Sequence, residues 1–109
     1  MVRKNYRVMS DEDLEAWRKR VLEKDAQRNP LDEHRRALRA MQNPVRRTII
    51  TMLKEKALST DELAKNLDLD KKTLQYHLQF LKDVFFITIE GNIVDLTPPG
   101  VAYTRKVLE

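Results

Sequence analysis

The chain contains no cysteine and only two glycines among its 109 residues. The absence of cysteine excludes disulfides, thiolate metal sites and cysteine nucleophiles. The scarcity of glycine excludes a glycine-rich loop that binds phosphate groups. No apolar run approaches the ~20 residues that a membrane-spanning helix needs, and no apolar stretch follows the basic N-terminus as it does in a secretory signal. We therefore expect a cytoplasmic protein that does not contact a membrane.

Catalytic arrangements are also missing. The two histidines, His34 and His77, have no partner serine or cysteine in a recognisable motif, and a nucleophile needs both a base and an orienting group. Neither histidine has a second ligand at helical spacing, so no metal site is expected. We predict that the chain is not an enzyme and that it uses no cofactor.

The composition indicates a small helical domain with a large solvated surface, because 41% of the residues are hydrophobic and 35% are charged. The net charge of +4 is unevenly distributed. Residues 1–56 carry 15 Lys and Arg against 9 Asp and Glu, whereas residues 57–109 carry 6 against 8. Any basic surface for nucleic acid is therefore concentrated in the first half of the chain.

The N-terminal region predicts a basic arm over residues 1–9 and then a helix that begins after Ser10, an N-cap candidate. Its apolar residues recur at helical spacing and form one narrow stripe, while the other faces are charged. Such a helix must dock on something to be stable. The stripe consists of Leu14, Trp17, Val21 and Leu22.

Four further helices are predicted from their capping residues. Pro30 begins a helix over residues 30–42, and Asn43 caps a third helix that runs to about Lys56. Ser59 and Glu62 form a capping box for a short fourth helix. Residues 68–70 form a turn in which Leu69 is buried and Asp70 caps a fifth helix, whose core side carries Leu74, Leu78 and Leu81.

The last part of the chain predicts a β-hairpin followed by a helix. Residues 85–90 and 93–96 are alternating or β-branched, and only Gly91 and Asn92 separate them, which favours a type II′ turn. Residues 97–100 then open a final helix that carries Val101, Val107 and Leu108. The predicted fold is mainly α with a small β-hairpin wing, a winged helix-turn-helix.

Four motifs carry a resemblance to a known family. They are NPVRRTII at residues 43–50, LSTDELA at 58–64, TLQYHLQFL at 73–81 and LTPPG at 96–100. In this order they resemble the ArsR-like winged helix-turn-helix regulators of prokaryotes. The resemblance implies a DNA-binding domain over residues 29–109, preceded by the arm and helix of residues 1–28.

The resemblance implies that residues 71–82 form a recognition helix, which lies in the DNA major groove. The residues expected to read bases are Lys71, Lys72, Thr73, Gln75, Tyr76 and Gln79. The residues expected to contact phosphates are Ser59, Thr60, Lys65 and Lys82. Double-stranded DNA is then the partner, and an ordinary solvated polar face is the alternative interpretation of these side chains.

The sequence departs from the family in three places. Metal-sensing members carry a cysteine pair where this chain has Ala64, Lys65 and Asn66, so metal sensing is not expected. The wing tip of residues 90–92 has no basic residue. The family's small Gly-Leu step before the wing is replaced by bulky residues at positions 84–86.

Helices that flank the motif commonly build a two-fold dimer in this family. We therefore expect a homodimer in which the stripe of Leu14, Trp17, Val21 and Leu22 packs between subunits, with packing inside one chain as the alternative. A different function also remains open, that of a winged-helix module that binds protein rather than DNA. In that case Phe80, Phe85 and Phe86 are the candidate contact residues.

Overall fold

The computed structural model describes residues 8–24 and 30–106, and within these ranges it leaves out the side chains of Arg18, residues 21–24 and Pro30. Residues 1–7 of the predicted arm and the predicted helix residues Val107 and Leu108 lie outside this part. The elements of the described part follow the chain as α1 (Asp11–Lys24), α2 (Pro30–Met41), α3 (Pro44–Leu53), β1 (Leu58–Ser59), α4 (Thr60–Leu67), α5 (Lys71–Asp83), β2 (Ile87–Glu90), β3 (Ile93–Leu96) and α6 (Pro98–Lys106).

The first helices begin where their capping residues predict. Ser10 Oγ accepts a hydrogen bond from the Asp13 N–H at 3.1 Å. Asn43 Oδ1 accepts hydrogen bonds from the N–H groups of Val45 and Arg46 at 2.9 and 3.3 Å. These bonds satisfy donors that have no partner within the first turn of a helix. The prediction for the end of α3 was wrong, because the helix ends at Leu53 and the chain then turns towards β1.

The three strands form one antiparallel sheet in the order β1-β3-β2. Glu90 pairs with Ile93, so Gly91 and Asn92 alone make the turn, and Gly91 has a φ of 61°. A positive φ at the first turn residue alone is the geometry of the predicted type II′ hairpin. The short strand β1 was not predicted, and its Leu58 pairs with Val94 of β3.

The start of the hairpin differs from the prediction. Residues 85 and 86 were expected to be extended, but β2 begins at Ile87 and Phe85 has a φ of 65°. This left-handed conformation is unfavourable for a residue with a Cβ. It lies in the segment where the sequence departs from the family pattern by replacing a small Gly-Leu step with bulky residues, and glycine would adopt a positive φ there without a steric cost.

Helix α1 packs against α6 of the same chain. Leu14 is buried in the common core with α3 and α5, and Arg105 of α6 forms an ion pair with Asp11 at 3.0 Å. The start of α6 lies close to the segment between α5 and β2, because a Cβ added at Gly100 would lie 2.2 Å from the carbonyl oxygen of Phe86. The two ends of the described chain therefore support one core.

Candidate nucleic-acid interface

The first helix of the helix-turn-helix pair, α4, is held by a reciprocal capping box. Ser59 Oγ accepts from the Glu62 N–H at 3.0 Å, and Glu62 Oε1 accepts from the Ser59 N–H at 3.1 Å. The hydrogen bonds from Ser59 lower the pKa of the Glu62 carboxyl below its usual value, so the charged form that makes the box is favoured. The predicted start of α4 is therefore confirmed.

The turn between α4 and α5 combines two acidic residues with different tasks. Asp68 takes the left-handed conformation with a φ of 52° and ends α4. Asp70 Oδ1 accepts a hydrogen bond from the Thr73 N–H at 2.7 Å and begins α5, and this bonding to Thr73 lowers the pKa of the Asp70 carboxyl. Leu69, which was expected to be buried, is half-buried and packs against the edge of the core.

The inner face of α5 is fully packed. Leu74, Leu78 and Leu81 have at most 2% of their surface exposed, so the helix is fixed in rotation about its axis. His77 also lies on this face and is 8% exposed. Burial, and then the positive charge of Arg46, lower the pKa of the His77 imidazole. His77 is therefore a packed histidine and its neutral form is favoured.

The outer face of α5 presents every side chain that the sequence predicted for base reading. All six are exposed to solvent. Tyr76 has 62% of its surface exposed, and its ring lies edge-on to His77 at a centroid distance of 5.3 Å. The six exposed side chains are Lys71, Lys72, Thr73, Gln75, Tyr76 and Gln79.

The four predicted phosphate contacts are less uniform. Lys65 and Lys82 are exposed, whereas Ser59 and Thr60 are half-buried. The Ser59 hydroxyl accepts a hydrogen bond in the capping box, and its own proton remains available to be donated to a phosphate. The backbone N–H of Thr60 donates to the Asn92 carbonyl at 2.8 Å, which fastens the start of α4 to the wing.

One contact on the outer face was not predicted. Gln79 Nε2 donates a hydrogen bond to Asp83 Oδ1 at 2.8 Å, and both side chains are exposed. The two residues are four apart on a helix, a spacing at which Gln and Asp side chains meet. The spacing was therefore visible in the sequence, but Asp83 lay outside the segment that the motif drew attention to.

A buried arginine of α3 contacts α5 on the side that faces the core. Arg46 is 7% exposed, its Nε donates to the Ala40 carbonyl at 2.8 Å, and its guanidinium lies over the Phe80 ring. The burial of Arg46 and its contact with Phe80 were not predicted from the sequence, because Arg46 was considered only as part of the NPVRRTII motif. A charged residue inside an apolar helix face was the signal that could have revealed it.

The wing itself adds little charge. Its tip consists of Glu90, Gly91 and Asn92, all exposed, as the sequence indicates. It can offer backbone N–H groups to a phosphate, but it supplies no cation. The lysines of α4 and α5 must therefore provide the positive charge of this surface.

Part of the apolar stripe that was expected at a dimer interface is buried within the chain instead. Leu14 is only 4% exposed and belongs to the core, and Trp17 is half-buried. The side chains of Val21 and Leu22 lie outside the described residues. Two other apolar side chains are exposed on α2, namely Leu31 at 55% and Leu38 at 52%. They are seven residues apart and therefore share one face of that helix.

Two features are absent from the part of the chain that the structure describes, a cluster of metal ligands and a membrane-spanning helix. In residues 8–24 and 30–106, no three His, Asp or Glu side chains are grouped as a metal ion would require. No helix there is long and apolar enough to cross a membrane.

Comparison with known proteins agrees with this geometry. Residues 43–86 match the family described as "Bacterial regulatory protein, arsR family". No curated protein sequence matches the chain significantly.

The fold of this chain resembles that of several solved structures. HlyU from Vibrio cholerae is similar with a TM-score of 0.58 and 24% identity, covering 76% of this chain and 100% of that one. The transcriptional regulator HlyU from Vibrio vulnificus is similar with a TM-score of 0.57 and 27% identity, covering 84% and 94%. A protein described as an ArsR family transcriptional regulator is similar with a TM-score of 0.60 and 20% identity, covering 73% and 87%.

The matched residues contain α3, α4, the turn and α5, together with the left-handed step at Phe85. The predicted family and the predicted winged helix-turn-helix fold are both confirmed. Residues 43–86 therefore match the helix-turn-helix of the arsR family of bacterial regulatory proteins, and the fold is that of a solved transcriptional regulator that is 27% identical to this chain.

Proposed function

We propose that the protein regulates transcription by binding double-stranded DNA in a sequence-dependent manner, with α5 in the major groove. The observation that carries the proposal is the contrast between the two faces of α5. Its inner face is buried and its start is capped by Asp70, while six polar or aromatic side chains project from its outer face. A rigid helix that presents donors and acceptors is what reading base edges requires.

The lysines at the start of α5 supply the charge for this contact. Lys71 and Lys72 are exposed in the first turn, where reading of the major groove is usually concentrated. Lys65 and Lys82 are exposed on α4 and on the last turn of α5, and we assign them to phosphates. Ser59 and Thr60 are weaker candidates, because they are half-buried at the start of α4.

The candidate contacts of the alternative function, a protein-binding module, are only partly accessible. Phe86 is 7% exposed, and Phe80 and Phe85 are half-buried. Phe80 lies beneath Arg46, and Phe86 packs against Tyr103 at a centroid distance of 5.1 Å. These rings serve the packing of the chain itself, which favours the DNA-binding proposal.

We further propose that the regulator acts as a homodimer. Leu31 and Leu38 are exposed on one face of α2, and burial of large apolar side chains is the usual driving force of subunit association. Trp17 of α1 remains a candidate for the same interface. A two-fold dimer would place its two copies of α5 in successive major grooves about 34 Å apart.

The test of DNA binding is a double substitution, Lys71→Ala with Lys72→Ala. The control is Lys19→Ala with Lys106→Ala, which removes two exposed lysines of α1 and α6. Both variants lose the same charge, so they differ only in where it is lost. At about 100 mM salt we expect the first pair to weaken DNA binding more than tenfold and the control to weaken it less than about threefold. Equal affinities for the two variants would refute the assignment of α5 to the groove.

A further inference from the structure

The Gln79–Asp83 hydrogen bond determines which way the Gln79 amide points. A carboxylate has no proton to donate, so only the amide nitrogen can face Asp83 Oδ1 at 2.8 Å. The other end of the amide, the oxygen Oε1, is therefore directed away from Asp83. An unrestrained glutamine can present either its NH₂ group or its oxygen, whereas this one is biased towards its oxygen.

We propose that the pair makes position 79 a selector for bases that carry an amino group in the major groove. Adenine offers the N6 amino group there and cytosine offers the N4 amino group. Guanine offers only O6 and N7, and thymine offers O4 and a methyl group, so neither donates to a glutamine oxygen. This inference rests on the proposed DNA-binding function and specifies the class of DNA site.

Gln75 provides a comparison within the same helix. It lies one turn before Gln79 on the same outward face and is exposed. Among the described residues its side chain has no hydrogen-bond partner that restrains it as Asp83 restrains Gln79. Gln75 can therefore turn its amide to suit either a donor or an acceptor. A position read by Gln75 tolerates changes between the two base classes, and the position read by Gln79 does not.

The experiment is selection of bound duplexes from a library of fully randomised DNA, followed by competition binding on the selected site. The full chain is used as wild type, as Gln79→Ala and as Asp83→Ala. Asp61→Ala on α4 is the matched control, because it removes one exposed carboxylate of the helix-turn-helix without touching Gln79. Asp83 lies at the C-terminal end of α5, where a negative charge opposes the helix dipole, so its replacement leaves the helix intact.

A fifth protein tests the chemistry itself. Gln79→Glu combined with Asp83→Ala places an acceptor-only side chain at position 79 without the need for an orienting partner. It restores a preference for donor-bearing bases if the direction of the amide is what matters. A role of Asp83 in helix stability alone gives no such restoration.

We expect one position of the selected DNA sequence at which the wild type and Asp61→Ala prefer adenine or cytosine over guanine or thymine by about tenfold. At that position Asp83→Ala and Gln79→Ala reduce the preference to within about twofold, and the double variant Gln79→Glu with Asp83→Ala recovers it. An enriched motif that Asp83→Ala leaves unchanged overturns the inference and leaves the proposed function standing. A wild-type protein that enriches no motif overturns the proposed function, and the inference with it.

Discussion

The guanidinium carbon of Arg46 lies 4.0 Å from the centre of the Phe80 ring. This contact joins α3 to the recognition helix, while Arg46 Nε holds the Ala40 carbonyl near the end of α2 at 2.8 Å. One side chain thus connects three helices through a stacking contact and a hydrogen bond. We regard it as a main determinant of how α5 is held against α2 and α3.

The stacked arginine predicts that lysine is a poor substitute. Arg46→Lys loses the planar group over Phe80 and the Nε–H donor to Ala40, so we expect the free energy of unfolding to fall by about 1–3 kcal/mol. Arg47→Lys is the control, because Arg47 is the adjacent exposed arginine and donates to the carbonyls of Met41 and Gln42 at 3.0 and 3.2 Å. Its cost should stay below about 0.5 kcal/mol. Urea unfolding of both variants measures the difference, and equal costs would contradict the role of Arg46.

The close approach at Gly100 predicts a strong effect of one methyl group. Gly100→Ala would place its Cβ 2.2 Å from the backbone oxygen of Phe86, and backbone atoms on both sides resist a shift. We expect a loss of about 2–3 kcal/mol. Gly91→Ala serves as the control, since its Cβ would meet nothing within 4 Å and only the φ of 61° opposes it. That strain costs about 1 kcal/mol. Thermal unfolding that ranks the two variants in the opposite order would refute the close contact.

The left-handed backbone at Phe85 predicts an inversion of the usual order of glycine and alanine. Phe85→Gly and Phe85→Ala both remove the ring, but only alanine keeps a Cβ at a φ of 65°. Phe85→Gly should therefore be the more stable of the two by about 1 kcal/mol. At Val84, with a φ of −95°, alanine should be more stable than glycine. Denaturant unfolding of the four variants tests this, and a single order at both positions would argue against the strained step.

The buried His77 predicts a specific dependence of stability on pH. Burial and Arg46 lower its pKa in the folded state, while the unfolded chain takes up a proton near the ordinary value of 6.5. The unfolded state therefore binds more protons between these two pKa values, and stability falls as the pH drops from above 6.5 through the lowered pKa. The stability advantage of the wild type over His77→Gln should shrink over this range. Urea unfolding at several pH values measures it, with His34→Gln as the exposed control. An advantage that stays constant with pH would show that His77 does not titrate this way.

The exposed leucines of α2 predict the outcome of a charge placed in the proposed dimer interface. Leu38→Glu should shift the sedimentation mass from dimer towards monomer, because a buried unpaired carboxylate is costly. Val8→Glu is the control, since Val8 is 80% exposed and precedes α1. A Leu38→Glu protein that remains as dimeric as the control would remove α2 from the interface.

Local signals were sufficient for most of the fold. The caps at Asn43, Ser59 and Asp70 act within three residues of themselves, so a sequence pattern captures them fully. Strand β1 escaped prediction, because two residues become a strand only through pairing with Val94, far along the chain. The same holds for Phe85, whose left-handed backbone is imposed by its surroundings and opposed by its own side chain.

The candidate site shows the same division between local and distant causes. Exposure of the six base-reading candidates followed from helical periodicity and was predicted. Burial of Arg46 was not, because it depends on Phe80 of another helix and on the end of α2. The Gln79–Asp83 bond was local and could have been predicted from spacing alone.

Sequence-dependent binding of DNA is the central claim, and it is tested most directly by fluorescence anisotropy across a salt series. The purified wild-type chain is titrated onto the DNA upstream of its own gene and onto a scrambled duplex of equal length and composition. We predict tighter binding to the upstream duplex and a linear fall of log affinity with log salt, with a slope of several units from displaced counterions. Equal affinity for both duplexes at every salt concentration, or no binding to either at low salt, would contradict the account.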